Sequence, residues 1–222
     1  MRPEISVTVD IVIFTLREGD LQVLLVKRKN PPFEGRWAIP GGYVEADESL
    51  ENAAMRELFE ETGVQGDAVH IEQLYTFGEP KRDPRGRVIT VAYFALVPAP
   101  LAVQAGDDAA EAQWKSVYHL PVMAFDHNQI LNYALKRLRY KLEYSAVGFQ
   151  LLPNEFSLSD LQQAYEIVLG ETLDKRNFRR RIQQAKVIEE TGAVRAHEGR
   201  PAKLYRFRDD AVAEVKARRL FP

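Results

Sequence analysis

The 222-residue chain contains no cysteine. A disulfide framework, a thiolate zinc site, an iron–sulfur cluster and a thiol nucleophile are therefore excluded. Histidine is nearly as scarce. His70, His119, His127 and His197 are the whole set, and no two stand at a helical ligand spacing. This argues against transition-metal chemistry and leaves hard cations held by carboxylates open. No apolar run approaches the ~20 residues of a membrane span, and Met1-Arg2-Pro3-Glu4 does not begin a secretory signal. The expectation is a soluble, cytoplasmic protein without a membrane partner.

What is present suffices for packed cores: 45% of residues are hydrophobic and 28% are charged. The length is generous for one domain and suits two small ones. The formal net charge of −2 hides an asymmetry, because residues 151–222 carry +3 and the remainder −5. Such a split suggests a different task for each part.

The first 120 residues predict strands with one clear helix. Ile5–Leu16 and Leu21–Arg28 form a hairpin across a polar turn containing Gly19. Val69–Phe77, Val88–Val97 and Glu111–Tyr118 are further strands, and Ser49–Thr62 is a helix stopped by Gly63. From His127 to Tyr144, Ile130, Leu131, Ala134, Leu135 and Leu138 recur at three and four residues, which predicts a long amphipathic helix. Tyr144–Glu155 then reads as a short connection between domains. Ser157-Leu-Ser-Asp160 opens a helix to Leu169, Asp174 can cap a second from Lys175 to Ala185, and Ala193–Glu198 and Ala202–Phe207 flank a tight turn at Gly199-Arg-Pro201. The domains expected are residues 1–145 and 146–222, in an α+β chain.

One motif dominates: Gly42-x5-Glu48, seven residues, then Arg56-Glu57-Leu58-Phe59-Glu60-Glu61-Thr62-Gly63-Val64. At 100° per residue, Glu57, Glu60 and Glu61 fall within an arc of about 100°. Leu50, Ala54 and Leu58 lie on or beside the same side. An ordinary surface helix keeps acids away from its apolar stripe. Here they share the inward side, and like charges held together need a counter-ion. Carboxylate oxygens suit Mg²⁺ or Mn²⁺ together with substrate phosphate oxygens, and the small Ala53 leaves room for both. Met55 and Phe59 form an apolar pair on the far side, so cover on two faces is expected.

These residues resemble the Nudix box at every defined position. Seven fixed residues at ~6% each give chance odds on the order of 10⁻⁹ per start position. The resemblance implies a Nudix α/β/α sandwich that binds a nucleoside diphosphate derivative. It implies that Glu57, Glu60 and Glu61 hold a divalent metal, with the Gly42 carbonyl as a further ligand, and that Arg56 and Glu48 orient the acids. The metal withdraws charge from a diphosphate and lowers the pKa of attacking water. The general base stays open between Glu61, Asp107, Asp108 and Glu111. Arg82-Asp-Pro-Arg85-Gly-Arg87 resembles the corresponding stretch of ADP-ribose-type Nudix proteins, and Arg36, Arg82 and Arg85 are the candidate ligand cations. Phe33 or Trp37 would stack on a base or anchor a loop.

Lys175 to Arg208 contains 11 Lys and Arg against three acids. Phe178 and Ile182 are four apart and should face inward, which leaves Arg176, Asn177 and Arg180 outward. Two helices followed by a basic hairpin is a winged-helix order. Lys175, Arg176, Asn177, Arg179 and Arg180 would meet a major groove, with Arg200 and Lys203 reaching an adjacent backbone or minor groove. The whole chain resembles the Nudix-related transcriptional regulators, through Phe125-Asp-His127, Leu173-Asp-Lys-Arg-Asn-Phe178 and Gly199-Arg-Pro-Ala-Lys-Leu-Tyr205 among other stretches. That resemblance implies ADP-ribose or a related ligand, double-stranded DNA and a homodimer. Many such regulators have a degraded box, whereas this one is intact, so hydrolysis stays open. The alternative is a Mg²⁺-dependent ADP-ribose-type pyrophosphatase whose last third serves dimerisation.

Overall fold

A computed structural model describes residues 4–62, 69–99, 109–144, 146–196 and 201–208. Contacts divide the chain into two compact units, Met1–Arg17 with Leu21–Leu135, and Lys136–Pro222 with Glu18–Asp20.

The first unit is built on a seven-stranded mixed sheet. Strand β1 (Ser6–Arg17) turns at Glu18-Gly19, both at positive φ, into β2 (Asp20–Arg28). Two short strands follow, β3 (Trp37–Ala38) and β4 (Gly41–Tyr43), and neither was expected from the sequence. After α1 (Leu50–Thr62) come β5 (His70–Phe77), β6 (Val88–Leu96) and β7 (Ala109–Ser116). The path β3-β2-β1-β6-β5 is hydrogen-bonded, with β4 on β1 and β7 on β2. Strand β1 runs parallel to β6 from Ser6↔Val88 to Phe14↔Leu96. Strand β7 starts two residues before the predicted point, because it follows the β2 register, in which Lys27 and Glu111 pair.

Both faces of β1 are covered: Val9, Ile11 and Ile13 alternate with Val12 and Phe14, and all five are fully buried. A strand enclosed on two faces reads as a continuous apolar run, which is why β1 was legible. Helix α1 lays Ala53, Ala54 and Leu58 against Val9, Ile11, Ile13, Val91 and Tyr93. The expectation of cover on its far side fails in half: Met55 packs against this core, but Phe59 is 50% exposed.

Helix α2 (His127–Tyr144) buries Ile130, Leu131, Ala134 and Leu138 of the predicted set, with Leu135 only half-buried and Leu142 buried in addition. The stretch after it is not a free connection. Residues Ala146–Leu151 form a 3₁₀ turn whose Phe149 and Leu151 are buried, with Phe149 stacked against Phe156 and Phe207. A Cβ at Gly148 would overlap Leu142 and press on Tyr165, so the close approach of this turn requires glycine.

In the second unit, α3 (Leu158–Leu169) opens on a complete capping box between Ser157 and Asp160 and closes on Gly170 in the left-handed region. Helix α4 (Lys175–Ala185) is capped by Asp174, whose carboxylate accepts the Asn177 N–H at 2.8 Å. Phe178 and Ile182 face inward, with Phe178 edge-on to Tyr165. The hairpin pairs β8 (Ile188–Arg195) with β9 (Ala202–Phe207). Strand β8 begins five residues before the predicted start. Cross-strand pairs of Glu189 with Arg206 and of Glu190 with Lys203 extend it. Phe156 adds a backbone bridge to Tyr205.

Candidate functional site

The box acids sit where α1 meets β4. Register Val9↔Gly42 places Gly42 beside the buried centre of β1. A Cβ at Gly42 would overlap the Glu57 carboxylate, and one at Gly41 would overlap the Val9 carbonyl and crowd Asp10. Both glycines are therefore required, Gly41 by the backbone of β1 and Gly42 by the Glu57 carboxylate. Arg56 donates to Glu48 at 2.7 and 3.2 Å, to Glu57 at 2.8 Å and to Glu60 at 3.4 Å. It also donates to the Tyr43 carbonyl, so one guanidinium fixes the acids relative to β4. The Arg56 bonds, joined by the Glu45 N–H, hold Glu48 below the usual carboxylate range.

Glu57 differs. Burial pushes its carboxyl up, against the opposing pull of Arg56. A group raised in the folded state stabilises the fold below its unfolded pKa, and that contribution is lost as pH rises through the folded value. At neutral pH the ionised Glu57 therefore weighs against folding, and a divalent cation would remove the deficit. Glu60 stands one turn on, 51% exposed on its side chain. Glu61 lies on α1, and its side chain is outside the described residues, as are Asp107 and Asp108. Glu111 is bonded to Gln113 and paired with Lys27. Among the described residues no three acids or histidines converge as a finished metal cage. Glu57 and Glu60 nevertheless fit a hard cation, because one is buried beyond what Arg56 compensates and the other is half-exposed on the next turn, with only a long 3.4 Å contact to Arg56. The expected outcome is a rise in melting temperature on adding Mg²⁺ at pH 7, shrinking as pH falls toward 5 and absent in Glu57→Gln. A pH-independent rise kept by Glu57→Gln would show that the cation binds elsewhere.

A cavity of about 250 Å³ opens on the other side of Gly41 and Gly42. Asp10, Arg28, Tyr43, Arg82, Arg85 and Phe125 are among its lining residues. Arg82 and Arg85 both line it, but neither guanidinium is idle. Arg82 is buried and makes a bidentate pair with Asp126 at 2.7 and 3.0 Å, with Asp10 at 3.5 Å. Arg85 is bidentate to Asp83 and lies over the rings of Tyr43 and Phe125. Arg36 is exposed, lies over Phe33 and is not among the residues lining this cavity. Phe33 packs edge-on to Phe125, and Trp37, on β3, lies beneath Lys27 of β2 and Lys115 of β7. His127 accepts the Ile39 N–H at 2.9 Å on Nδ1 and faces Asp10 at 3.6 Å. Burial holds its pKa below 6.5 despite the two nearby carboxylates. Sequence reasoning passed over Asp10. The available signal was an acid in the middle of a Val/Ile-rich strand.

In the second unit Lys175, Arg176, Asn177 and Arg180 are exposed along α4, with Arg180 donating to Asn177 at 2.9 Å. Arg179 differs from these four. It is half-buried and turned toward α3, donating to Ser159. Lys203 is exposed but paired with Glu190 at 3.0 Å, and Arg200 lies outside the described residues.

Two family models match along the chain: the NUDIX domain over residues 6–138 and the NrtR DNA-binding winged helix domain over residues 148–207. A repressor from Acinetobacter baylyi, named an ADPR responsive transcriptional repressor, is 41% identical over 209 residues, 92% of this chain and 83% of its own. The chain belongs to the NrtR family of Nudix proteins. Shewanella oneidensis NrtR, solved with a 27-mer DNA, matches at 40% identity and TM-score 0.80, over 93% of this chain and 95% of that one. Its NUDIX domain was also solved with ADP-ribose, and matches at 40% identity and TM-score 0.56 over 62% of this chain and 90% of that one. An ADP-ribose pyrophosphatase from Methanocaldococcus jannaschii is 43% identical over 126 residues, 57% of this chain and 70% of its own. NrtR-family membership thus joins the two units in one description, a Nudix fold followed by a winged helix. Among the described residues no helix is long and apolar enough to cross a membrane.

Proposed function

We propose that this chain is a DNA-binding transcriptional repressor whose affinity for its operator responds to ADP-ribose or a closely related nucleoside diphosphate compound. Residues 1–145 serve as the ligand domain and residues 146–222 as the DNA-binding domain, in a cytoplasmic homodimer. The observation that carries the reading is the exposed row Lys175, Arg176, Asn177 and Arg180 on a capped helix of a winged-helix unit. Arg176, Asn177 and Arg180 share the outward face, with Lys175 at the helix start, and such cations and an amide can hold phosphates and meet base edges in the major groove. In the first unit, a cavity walled by paired arginines and aromatic rings offers charge for a diphosphate and flat faces for a base.

Binding to a duplex from the chain's own upstream region tests this. Log K should fall linearly with log salt. Arg176→Ala should weaken binding about 10-fold or more and, if the side chain lies on phosphate, lower the slope by about 1. Unchanged affinity and slope in both Arg176→Ala and Arg180→Ala would remove α4 from the interface.

Hydrolysis of the same ligand is a second reading, favoured by the intact box and by Glu57 buried beyond what Arg56 compensates. Glu57, Glu60 and Glu61, with the Gly42 carbonyl, would hold Mg²⁺ or Mn²⁺. When bound, the cation supplies charge for the diphosphate and acidifies water. Arg56 keeps Glu48 and Glu57 oriented, and Gly42 keeps the approach open. Release of AMP from ADP-ribose, lowered roughly 10²-fold or more in Glu61→Gln, supports this reading. Equal turnover in that variant would exclude Glu61 as the base.

A further inference from the structure

The start of α2 forms part of the cavity wall, since Phe125 and His127 both line it. Asp126 stands between them at the N-cap position of α2, its carbonyl accepting the N–H groups of Gln129 and Ile130. At the same position of α3 and α4, Ser157 and Asp174 use their side chains to cap the helix. Asp126 does otherwise: both its carboxylate oxygens are taken by Arg82, 44 residues away in the chain. The preceding Phe125 is held at φ 49°, in the left-handed region that a bulky residue avoids. Further along, α2 enters the second unit. There Arg139 donates to the Val168 carbonyl at 2.9 Å, on the last turn of α3, and Leu142 lies against Gly148.

We propose that the Arg82–Asp126 pair is an ion pair exchanged by the ligand, and that this exchange carries cavity occupancy into α2. The inference rests on the ADP-ribose reading above. A diphosphate in the cavity and the Asp126 carboxylate compete for one guanidinium, and both suit its planar fork. When the diphosphate takes Arg82, Asp126 turns to the first-turn N–H groups of α2, which favour an anion. The turn at Phe125 relaxes with it. The helix then has two discrete starts, one for each state of the cavity. Because α2 is continuous into the second unit, its packing on α3 differs between them. A ligand shifts an equilibrium only through such a difference in affinity between states.

The test uses the full chain and compares wild type with Asp126→Asn and Asp126→Ser. Both replacements cap helices well, and neither can hold Arg82 as an ion pair. Arg82 retains Asp10 at 3.5 Å, so its charge is not stranded. Two quantities are measured for each protein: ADP-ribose affinity by calorimetry, and operator affinity with and without saturating ADP-ribose. In both variants, ADP-ribose should bind at least as tightly as in wild type. Their ligand-free operator affinity should already match that of ligand-saturated wild type, and adding ligand should change it less than twofold. A wild-type-sized response in either variant overturns the proposal. So does loss of ligand binding in parallel with loss of response, which would mean that Asp126 merely shapes the cavity. A wild-type protein whose operator affinity ignores ADP-ribose would overturn the functional reading itself, and the wild-type arm shows this alone.

Discussion

Replacing Phe178 with alanine should abolish operator binding while leaving ADP-ribose affinity at its wild-type value. Phe178 is 2% exposed and meets Tyr165 edge-on at 5.5 Å, where α4 joins α3. Truncating a buried phenylalanine costs about 3–5 kcal/mol through lost transfer energy and the cavity left behind. A unit of some 70 residues holds only about 4–10 kcal/mol in total. Its core is small, with Phe149, Phe156, Leu161, Tyr165, Val168 and Ile182 around the same centre. The loss therefore removes much of the stability of the DNA-binding unit and none of the contacts of the ligand cavity. Parallel titrations of duplex and ADP-ribose into the variant check this. Retained operator binding would show that α4 is not placed by Phe178. Simultaneous loss of ligand affinity would show that the two units do not fold independently.

Arg82→Met should lower the melting temperature of the first unit by about 10 °C or more. The side chain has 4% exposure and stands between Asp126 and Asp10. Removing one member of such a group strands the rest, at about 3–5 kcal/mol, and a unit of this size loses a few degrees per kcal/mol. The same physics predicts repair. Combining Arg82→Met with Asp126→Asn removes the carboxylate left without its bidentate partner, and should restore more than half of the loss. Calorimetric melting of the single and double variants decides it. A double variant less stable than Arg82→Met would mean that Asp126 is held by something other than Arg82.

Much of the fold was written in periodicity. Strand β1 and helix α2 bury long regular runs, and α3 carries both of its caps in sequence. The box residues were legible because their spacing is local to one helix and the turn before it. Strands β3 and β4 were not, being only two and three residues long and defined by their partners rather than by their own side chains. The clustering of Asp10, Arg82, Asp126 and His127 was equally hidden, since it joins three distant segments. Arg82 was a candidate ligand cation, with Arg85, because their stretch resembles that of ADP-ribose-type Nudix proteins. In the fold its guanidinium is already paired with Asp126, 44 residues away, a partner that no local pattern announces. In the hairpin the start of β8 was missed because Glu189 and Glu190 are held by cations that only β9 supplies.

The central claim is that one chain binds DNA through α4 and adjusts that binding according to what fills the Nudix cavity. Operator affinity of the full chain, measured at fixed salt across a titration of ADP-ribose, tests it most directly. The account predicts a saturable shift in operator affinity of at least about fivefold, the lower end of ordinary coupling between sites. The midpoint should equal the ADP-ribose dissociation constant measured separately without DNA, displaced only by the reciprocal effect of DNA on the ligand. Operator affinity that stays constant through saturation of the cavity would contradict it.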